Sequence, residues 1–383
     1  MRIALFTNTY LPFCGGVTVA VETLRRGLEG RGHEAWVVAP RCAGEAADGP
    51  RVVRYPSIPA ATYPQFPLAV PFAPRPAARV RRLDADVFHA HHPFLLGPAA
   101  RRFARARRRP LVFTYHTRYE KYAHYVPLRR GLVEAAAVWF STRFAARADA
   151  VIAPSAGVRD ELRARGVRTP IAVVPTGLDL DLFRPGERAR ARRRLGWHPT
   201  DPVVLYVGRL DREKSVERVL LAFARLVSTL PRARLQVVGQ GTEGGRLRAQ
   251  ASALGVAARV TFAGARAHDT LPVVYQAADV FLFASETETQ GLVLAEAAAC
   301  GLPAVAVRAP GCEEAIRDGV TGLLTKSDAG ALADTAIGLL VDPPRRVAMG
   351  RRARTLAEQE FGVGRQIDRT LDVYGAAAPR AGA

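Results

Sequence analysis

Short runs of β-branched and aliphatic residues alternate along the chain with longer stretches in which Ala, Leu and Arg recur at helical spacing. It opens RIALFTN, continues through VAVETLRRGLEGRG into EAWVVAP, and later reads VFHA, GPAARRFARARRR and LVFTY. Strand-length apolar runs separated by helix-length segments predict parallel βαβ units rather than hairpins. From Pro202 the rhythm restarts as PVVLYVG, VERVLLAFARLVSTL, LQVVG, RVTFAG, DVFLFAS, a helix after Gln290, and PAVAV. Two successive doubly wound α/β halves are therefore expected, each with its ligand face at the carboxyl ends of the strands. The stretch PTGLDLDLFRPGERARARRRLGWHPTDP, rich in Pro, Gly and charge, reads as the hinge between them.

The chain of 383 residues, 49% hydrophobic, is long enough for two domains with cores of their own. Its four cysteines, Cys14, Cys42, Cys300 and Cys312, form no C-x-x-C pair, so neither a zinc site nor a disulfide framework is suggested and a reducing cytoplasm is the simplest compartment. The opening MRIALFTNTY lacks the apolar stretch of a signal peptide, and QGLVLAEAAACGLPAVAV carries Glu296 and is broken by Pro303, so no membrane span is expected.

The net charge of +20 is uneven: 28 Lys and Arg stand against 14 Asp and Glu up to residue 185, and 27 against 21 after it. A basic first half can attract nucleic acid, anionic lipid or an anionic small molecule, and charge alone does not choose among them. RPAARVRRL and RRFARARRRP are solvated helix faces or a membrane-facing patch. YVPLRRGLVEAAAVWFSTRFAARA mixes Val133, Val138, Trp139, Phe140 and Phe144 with Arg129, Arg130, Arg143 and Arg147. Such a helix either lies in a lipid interface or packs on its own sheet.

The candidate chemistry sits at strand ends. In YVGRLDREKSVERVL, Gly208 ends a strand, and Arg209 and Lys214 are placed to converge on one diphosphate. In VFLFASETETQGLVLAEAAAC, Gly291 lies near a helix start whose backbone amides point at an anion. Glu288 is expected in the loop and Glu296 about two turns into the helix, acceptor-only groups suited to sugar hydroxyls. The cluster HAHHPFLLG puts His89 and His91 on one face of a strand; with no third ligand evident nearby, structural positioning is preferred over zinc.

The E-x7-E pair Glu288 and Glu296, with GRLDREK upstream, TNTYLPFCGGV near the N-terminus and VPTGLDLDLF at the hinge, resembles the retaining glycosyltransferases of family GT4. The likeness spans nearly the whole chain. It implies the GT-B fold, an α/β arrangement of two Rossmann-like doubly wound domains facing across a cleft. Residues 1–185 are then the acceptor-binding domain, 186–360 the nucleotide-sugar-binding domain, and 361–383 a C-terminal helix returning to the N-terminal domain, with a tail. The resemblance also implies roles: Arg209 and Lys214 on the donor diphosphate, Glu296 on the ribose and Glu288 on the transferred sugar. It assigns the Thr289, Gln290, Gly291 and Leu292 amides to sugar and phosphate, and Gly15 and Gly16 to a phosphate-approaching loop. His116, of TYHT, lines the reaction centre, and His116, Glu288, Arg209 and Lys214 are the catalytic set. No metal and no cofactor are called for, since cations and amides stabilise the departing phosphate; in the family's front-face mechanism that phosphate helps deprotonate the acceptor.

FTYHTRYEKYAHYVP resembles the matching segment of bacterial diacylglycerol glucosyltransferases, in which ETETQG is also common. The resemblance implies UDP-glucose as donor, a lipid such as diacylglycerol as acceptor, Tyr119, Tyr122 and Tyr125 at the acceptor opening, and a peripheral cytoplasmic enzyme on the anionic inner face of the cell membrane. Those tyrosines can equally pack between a loop and the next helix. Three positions depart from the pattern: Thr242 where relatives often have proline, Cys14 before the glycines, and Ala298 where many have methionine. Alternatives are a GDP-mannose enzyme acting on phosphoinositol or another glycan acceptor, and a UDP-sugar epimerase, against which the E-x7-E spacing argues. A nucleic-acid binder is suggested only by charge, and no nucleic-acid motif supports one.

Overall fold

The computed structural model describes residues 1–13, 15–42, 49–60, 66–126 and 128–378. The chain forms two compact units, Met1–Gly177 joined by the segment from Val363 on, and Leu178–Gly362. It passes from one to the other at Gly177 and returns after Gly362, and the two crossings run side by side, Leu178 N–H donating to the Phe361 carbonyl at 2.6 Å.

In the N-terminal unit seven parallel strands lie in the order Val52–Tyr55, Glu34–Pro40, Arg2–Phe6, Val87–Ala90, Leu111–Thr114, Ala150–Ala153, Ile171–Val173. Alternate residues supply the two faces. Ile3 and Leu5 are buried in one core with Leu24 and Leu28 of the helix Gly16–Gly30 and Ile367 and Tyr374 of the helix Val363–Ala377. Ala4 and Phe6 are buried in the other with Leu96, Ala100 and Phe144. Burial on both faces is why these strands read as continuous apolar runs in the sequence.

The C-terminal unit repeats the plan with six parallel strands, ordered Val260–Gly264, Arg234–Val238, Val203–Val207, Val280–Phe283, Ala304–Val307, Gly322–Thr325. In both sheets the first strand in sequence lies beside the strand that starts the second half, so the winding direction reverses there. The expected pair of doubly wound α/β sheets is present. The connector read as a hinge does contain the crossing at Gly177, but parts of it are built into the C-terminal unit. Leu178 and Phe183 are buried with the C-terminal apolar cluster, and Arg188–Leu195 is a helix. The alternating leucines of GLDLDLF outweigh the Pro and charge around them, since a buried Leu or Phe contributes about 1.5–3 kcal/mol.

Two strand ends in this unit close against each other through backbone alone. A Cβ on Gly239 would lie 1.8 Å from the Gly208 carbonyl oxygen, and Gly239 has φ +143°. Both the contact and the dihedral require glycine. Gly239→Ala is therefore expected to destabilise the C-terminal unit by about 3 kcal/mol. The control is Gly245→Ala in the helix Gly244–Ala253, where a Cβ meets nothing within 4 Å. Urea unfolding of the full chain measures both; a Gly239→Ala midpoint matching that of the control contradicts the close approach.

Candidate functional site

The C-terminal unit carries its chemistry at the point where strand order reverses, between the ends of Val203–Val207 and Val280–Phe283. Arg209 follows the first strand, and Lys214 closes a 3-10 turn, Arg212–Lys214, just before the helix Val216–Thr229. The Arg209 guanidinium is held by the carboxylates of Asp211 and Glu213. Asp211 is held in turn, Oδ1 accepting from both the amide (2.9 Å) and the hydroxyl (3.0 Å) of Thr242. A proline at 242 would supply neither donor, so this departure from the family pattern adds an anchor under Arg209.

Glu288 lies in the loop after the second strand. Its Oε1 is 2.6 Å from Lys214 Nζ and accepts from the Ser285 hydroxyl at 2.9 Å. Burial pushes the Glu288 carboxyl up, but Lys214, Ser285 and the Arg209 charge outweigh it and leave the pKa below the usual carboxylate value. Glu288 therefore stays ionised at neutral pH beside two cations. The structure thus gathers Arg209, Lys214 and Glu288 into one electrostatic group. Ser285, Asp211 and Glu213 belong to it too and were not singled out from the sequence.

The loop then enters the helix Leu292–Ala299 through Gly291, whose φ is +74° and at which a Cβ would lie 2.8 Å from the Gly311 carbonyl oxygen. Thr289 is half-buried and Gln290 buried just before it. Glu296 is the fifth residue of this helix, little more than one turn in rather than two, because the helix starts only after Gly291. Its carboxylate is buried, with Oε1 2.9 Å from His268 Nε2 and Oε2 accepting from the Tyr275 hydroxyl at 2.7 Å. Each oxygen keeps a further lone pair for a ligand hydroxyl. Burial lowers the His268 pKa, yet the hydrogen bond and charge of Glu296, helped by Asp269, raise it overall. His268 and Tyr275 were missed in the sequence. A histidine and a tyrosine 28 and 21 residues from Glu296 carry no spacing signal.

The N-terminal unit places its polar residues at the equivalent reversal. Gly15, in extended backbone, caps the helix Gly16–Gly30, and Gly16 is exposed at its first position; Cys14 lies outside the described residues. His116 follows the strand Leu111–Thr114, with Nε2 2.9 Å from Nδ1 of His91. The zinc alternative for His89 and His91 meets a direct obstacle: both ring nitrogens of His89 are hydrogen bonded, to the Tyr374 hydroxyl and to Thr114 Oγ1, each at 2.7 Å. Among the described residues no group of three or more His, Cys, Asp or Glu is arranged to hold a metal ion.

Tyr119, Tyr122 and Tyr125 share a 3-10 segment, Tyr119–Tyr125. The Tyr119 ring is edge-on to Phe94 and Tyr115, at 5.1 and 6.0 Å between centroids, while Tyr122 and Tyr125 are half-buried and stacked at 6.3 Å. The following helix, Arg130–Ala145, buries only Ser141, Phe144 and Ala145. Leu132, Trp139 and Phe140 are 68%, 54% and 52% exposed, and Leu128 just before it is 72% exposed. The Arg143 guanidinium lies over the Trp139 ring at 5.2 Å. No helix among the described residues is long and apolar enough to cross a membrane.

Comparison with known proteins agrees with this architecture. Residues 14–182 match the family model described as Glycosyltransferase Family 4, and residues 187–356 the one described as Glycosyl transferases group 1. The chain is 32% identical to the alpha-monoglucosyldiacylglycerol synthase of Streptococcus pneumoniae over 348 residues, covering 88% of this chain and 78% of the relative. It is 35% identical to a GDP-mannose-dependent alpha-mannosyltransferase of Mycobacterium tuberculosis over 334 residues, 85% of this chain and 83% of that one. The crystal structure of Anabaena HepE in complex with UDP and glucose superposes with a TM-score of 0.79 at 24% identity, covering 98% of this chain and all of that one. Two doubly wound units, two family matches that together span most of the chain, and relatives aligned along most of their length make this chain a member of glycosyltransferase family 4, a hexosyltransferase of the GT-B fold.

Proposed function

We propose that the protein transfers a hexose, with retention of anomeric configuration, from UDP-glucose to diacylglycerol at a membrane surface. The C-terminal unit takes the donor: Arg209 and Lys214 the diphosphate, Glu296 the ribose, Glu288 the sugar, and the amides from Thr289 to Leu292 the sugar and phosphate. The N-terminal unit contributes Gly15, Gly16 and His116 to the reaction and takes the acceptor near Tyr119, Tyr122 and Tyr125. As the anomeric bond loosens, positive charge grows on the sugar and negative charge on the departing phosphate. Arg209, already aimed by Asp211 and Glu213, Lys214 beside Glu288, and the helix start at Leu292 stabilise that phosphate without reorganising.

The observation that carries the lipid acceptor is the helix Arg130–Ala145, which buries Phe144 but leaves Leu132, Trp139 and Phe140 in water with arginines among them. A helix meant only to pack on its sheet buries those residues. This one has the layout of an interfacial helix, apolar side chains for the acyl boundary and arginines for anionic headgroups. The name of the Streptococcus relative supports the same acceptor class and that of the Mycobacterium relative favours GDP-mannose as the competing donor.

Incubation with a panel of UDP- and GDP-sugars and diacylglycerol vesicles, followed by product analysis, tests the donor. A UDP-glucose-derived glycolipid is expected, and turnover with GDP-mannose alone overturns the reading. In the same assay Glu288→Ala is expected to lower kcat on the order of 10²–10³-fold with modest loss of nucleotide affinity, while Arg209→Ala weakens both. Near-normal turnover in the two variants rejects these roles. For the membrane, flotation on vesicles with anionic lipid is expected to retain the protein and flotation on neutral vesicles to release it. Combined Trp139→Ala and Phe140→Ala substitution is expected to weaken retention about tenfold or more. Binding indifferent to both changes rules out this helix as the docking element.

A further inference from the structure

Four histidines meet at the carboxyl ends of two neighbouring strands of the N-terminal unit, and their partners differ in kind. His89 is held on both nitrogens by Tyr374 and Thr114. His92 Nδ1 accepts from the Asn8 amide at 3.1 Å. His116 faces His91 through Nε2. His91 is the odd member: it is buried, its Nδ1 meets His116, and its Nε2 is buried with no hydrogen-bond partner among the described residues. Its ring stands 4.2 Å from that of His89 and 5.1 Å from that of His116, tilted by 32° and 26°. The three rings form a layered stack whose inner end is tied to the C-terminal helix by Tyr374.

A neutral imidazole has a single N–H, and two neutral rings sharing one contact must place one proton between them. Were the His91 proton on Nε2, a buried N–H would have nothing to donate to. Placed on Nδ1, it has the Nε2 lone pair of His116 as acceptor, and the orphan is a bare lone pair. Orphaned buried N–H groups are the rarer and less tolerated case. We propose that His91 is a positioning residue for His116: it donates Nδ1–H to His116 Nε2, fixing the orientation of that ring and leaving the His116 proton on Nδ1. The inference rests on the reading that His116 acts in the reaction.

Two consequences follow from the geometry. His116 Nε2 is already occupied as an acceptor, so His116 meets the reaction as a neutral ring with its proton on the opposite nitrogen. Protonating His116 would set its Nε2–H against the His91 Nδ1–H, and His91 could yield only by moving its proton to the partnerless Nε2. Among the groups that face this stack are His92, the Tyr374 phenol and the Thr114 hydroxyl; burial holds His91 well below the ordinary imidazole value and His116 down to about 4, in the same direction.

The test is nitrogen-15 NMR on the histidine-labelled full chain, with His116 assigned by the signal lost in His116→Gln. The wild type is expected to carry the His116 proton on Nδ1, and His91→Phe, which keeps a ring of similar size but no donor, to bring protonated Nε2 into the spectrum. A wild-type proton on Nε2, or a tautomer unmoved by His91→Phe, overturns the proposal. With UDP-glucose and diacylglycerol vesicles, His91→Phe is expected to lower kcat on the order of tenfold to a hundredfold and to leave the donor KM within about twofold. His91→Asn, whose amide can donate near the position of Nδ1, is expected to restore most of that loss. Normal turnover in His116→Gln removes the role of His116 itself. An inactive His116→Gln beside a normal His91→Phe defeats the positioning role alone. Absence of any turnover with UDP-glucose counts against the proposed donor, and the tautomer measurement still decides the role of His91.

Discussion

A parallel sheet wound in two directions from its middle leaves the loops of two adjacent strands leaving on opposite faces, and the crevice between them is the one place at the sheet edge where polar groups face a ligand rather than a covering helix. Both units of this chain have that reversal, at Arg2–Phe6 beside Val87–Ala90 and at Val203–Val207 beside Val280–Phe283. The chemistry of each unit depends on it. Arg209 and Glu288 hang from the two strand ends at one crevice, and the buried histidines and the first glycine-rich turn flank the other.

At the C-terminal crevice the physical problem is to keep cations and carboxylates ionised with limited water. Each charge here is partnered: Arg209 by Asp211 and Glu213, Lys214 by Glu288, and Glu296 by His268 and Tyr275. Removing one partner from such a pair leaves an uncompensated charge, which costs more than the pair contributes. The arrangement therefore reads as orientation rather than as stabilisation of the fold. In the proposed transfer, cations aimed in advance would act on a developing phosphate charge without the reorganisation that water needs.

How much of this is visible in the sequence follows from distance along the chain. The α/β rhythm, the doubling at Pro202, and Arg209, Lys214 and Gly291 at strand ends are local patterns and are found where the periodicity puts them. What is not local is invisible: Lys214 and Glu288 are 74 residues apart, His268 and Glu296 28, and His89 and Tyr374 285. The sequence could name Glu288 and Glu296 through their fixed spacing but could not say that each already carries its own donors. In GLDLDLF the Pro, Gly and charge signal the connector where the chain does cross, but they do not show that Leu178 and Phe183 reach the C-terminal core. The exposed face of Arg130–Ala145 was undecidable from periodicity alone, because a helix that mixes aromatics with arginines satisfies both a buried and an interfacial reading. The packing shows which residues are covered: Phe144 is buried, and Trp139 and Phe140 are left in solvent.

The C-terminal helix connects these observations. After crossing back at Gly362 the chain lays Val363–Ala377 against Gly16–Gly30, close enough that a Cβ on Gly27 would sit 2.5 Å from Ile367 Cδ1. That helix also delivers the Tyr374 hydroxyl to His89. Because His89 is bonded on its other side to Thr114, and Thr114 ends the strand that leads to His116, the end of the chain braces both the histidine stack and the strand that presents its outermost ring. A buried polar group is tolerated only with its partners in place, so His89 needs Tyr374 as much as the core needs Ile367. The return of the chain to its first unit is thus a requirement of that unit's polar interior, and the final helix belongs to the same structural problem as the residues at the strand ends.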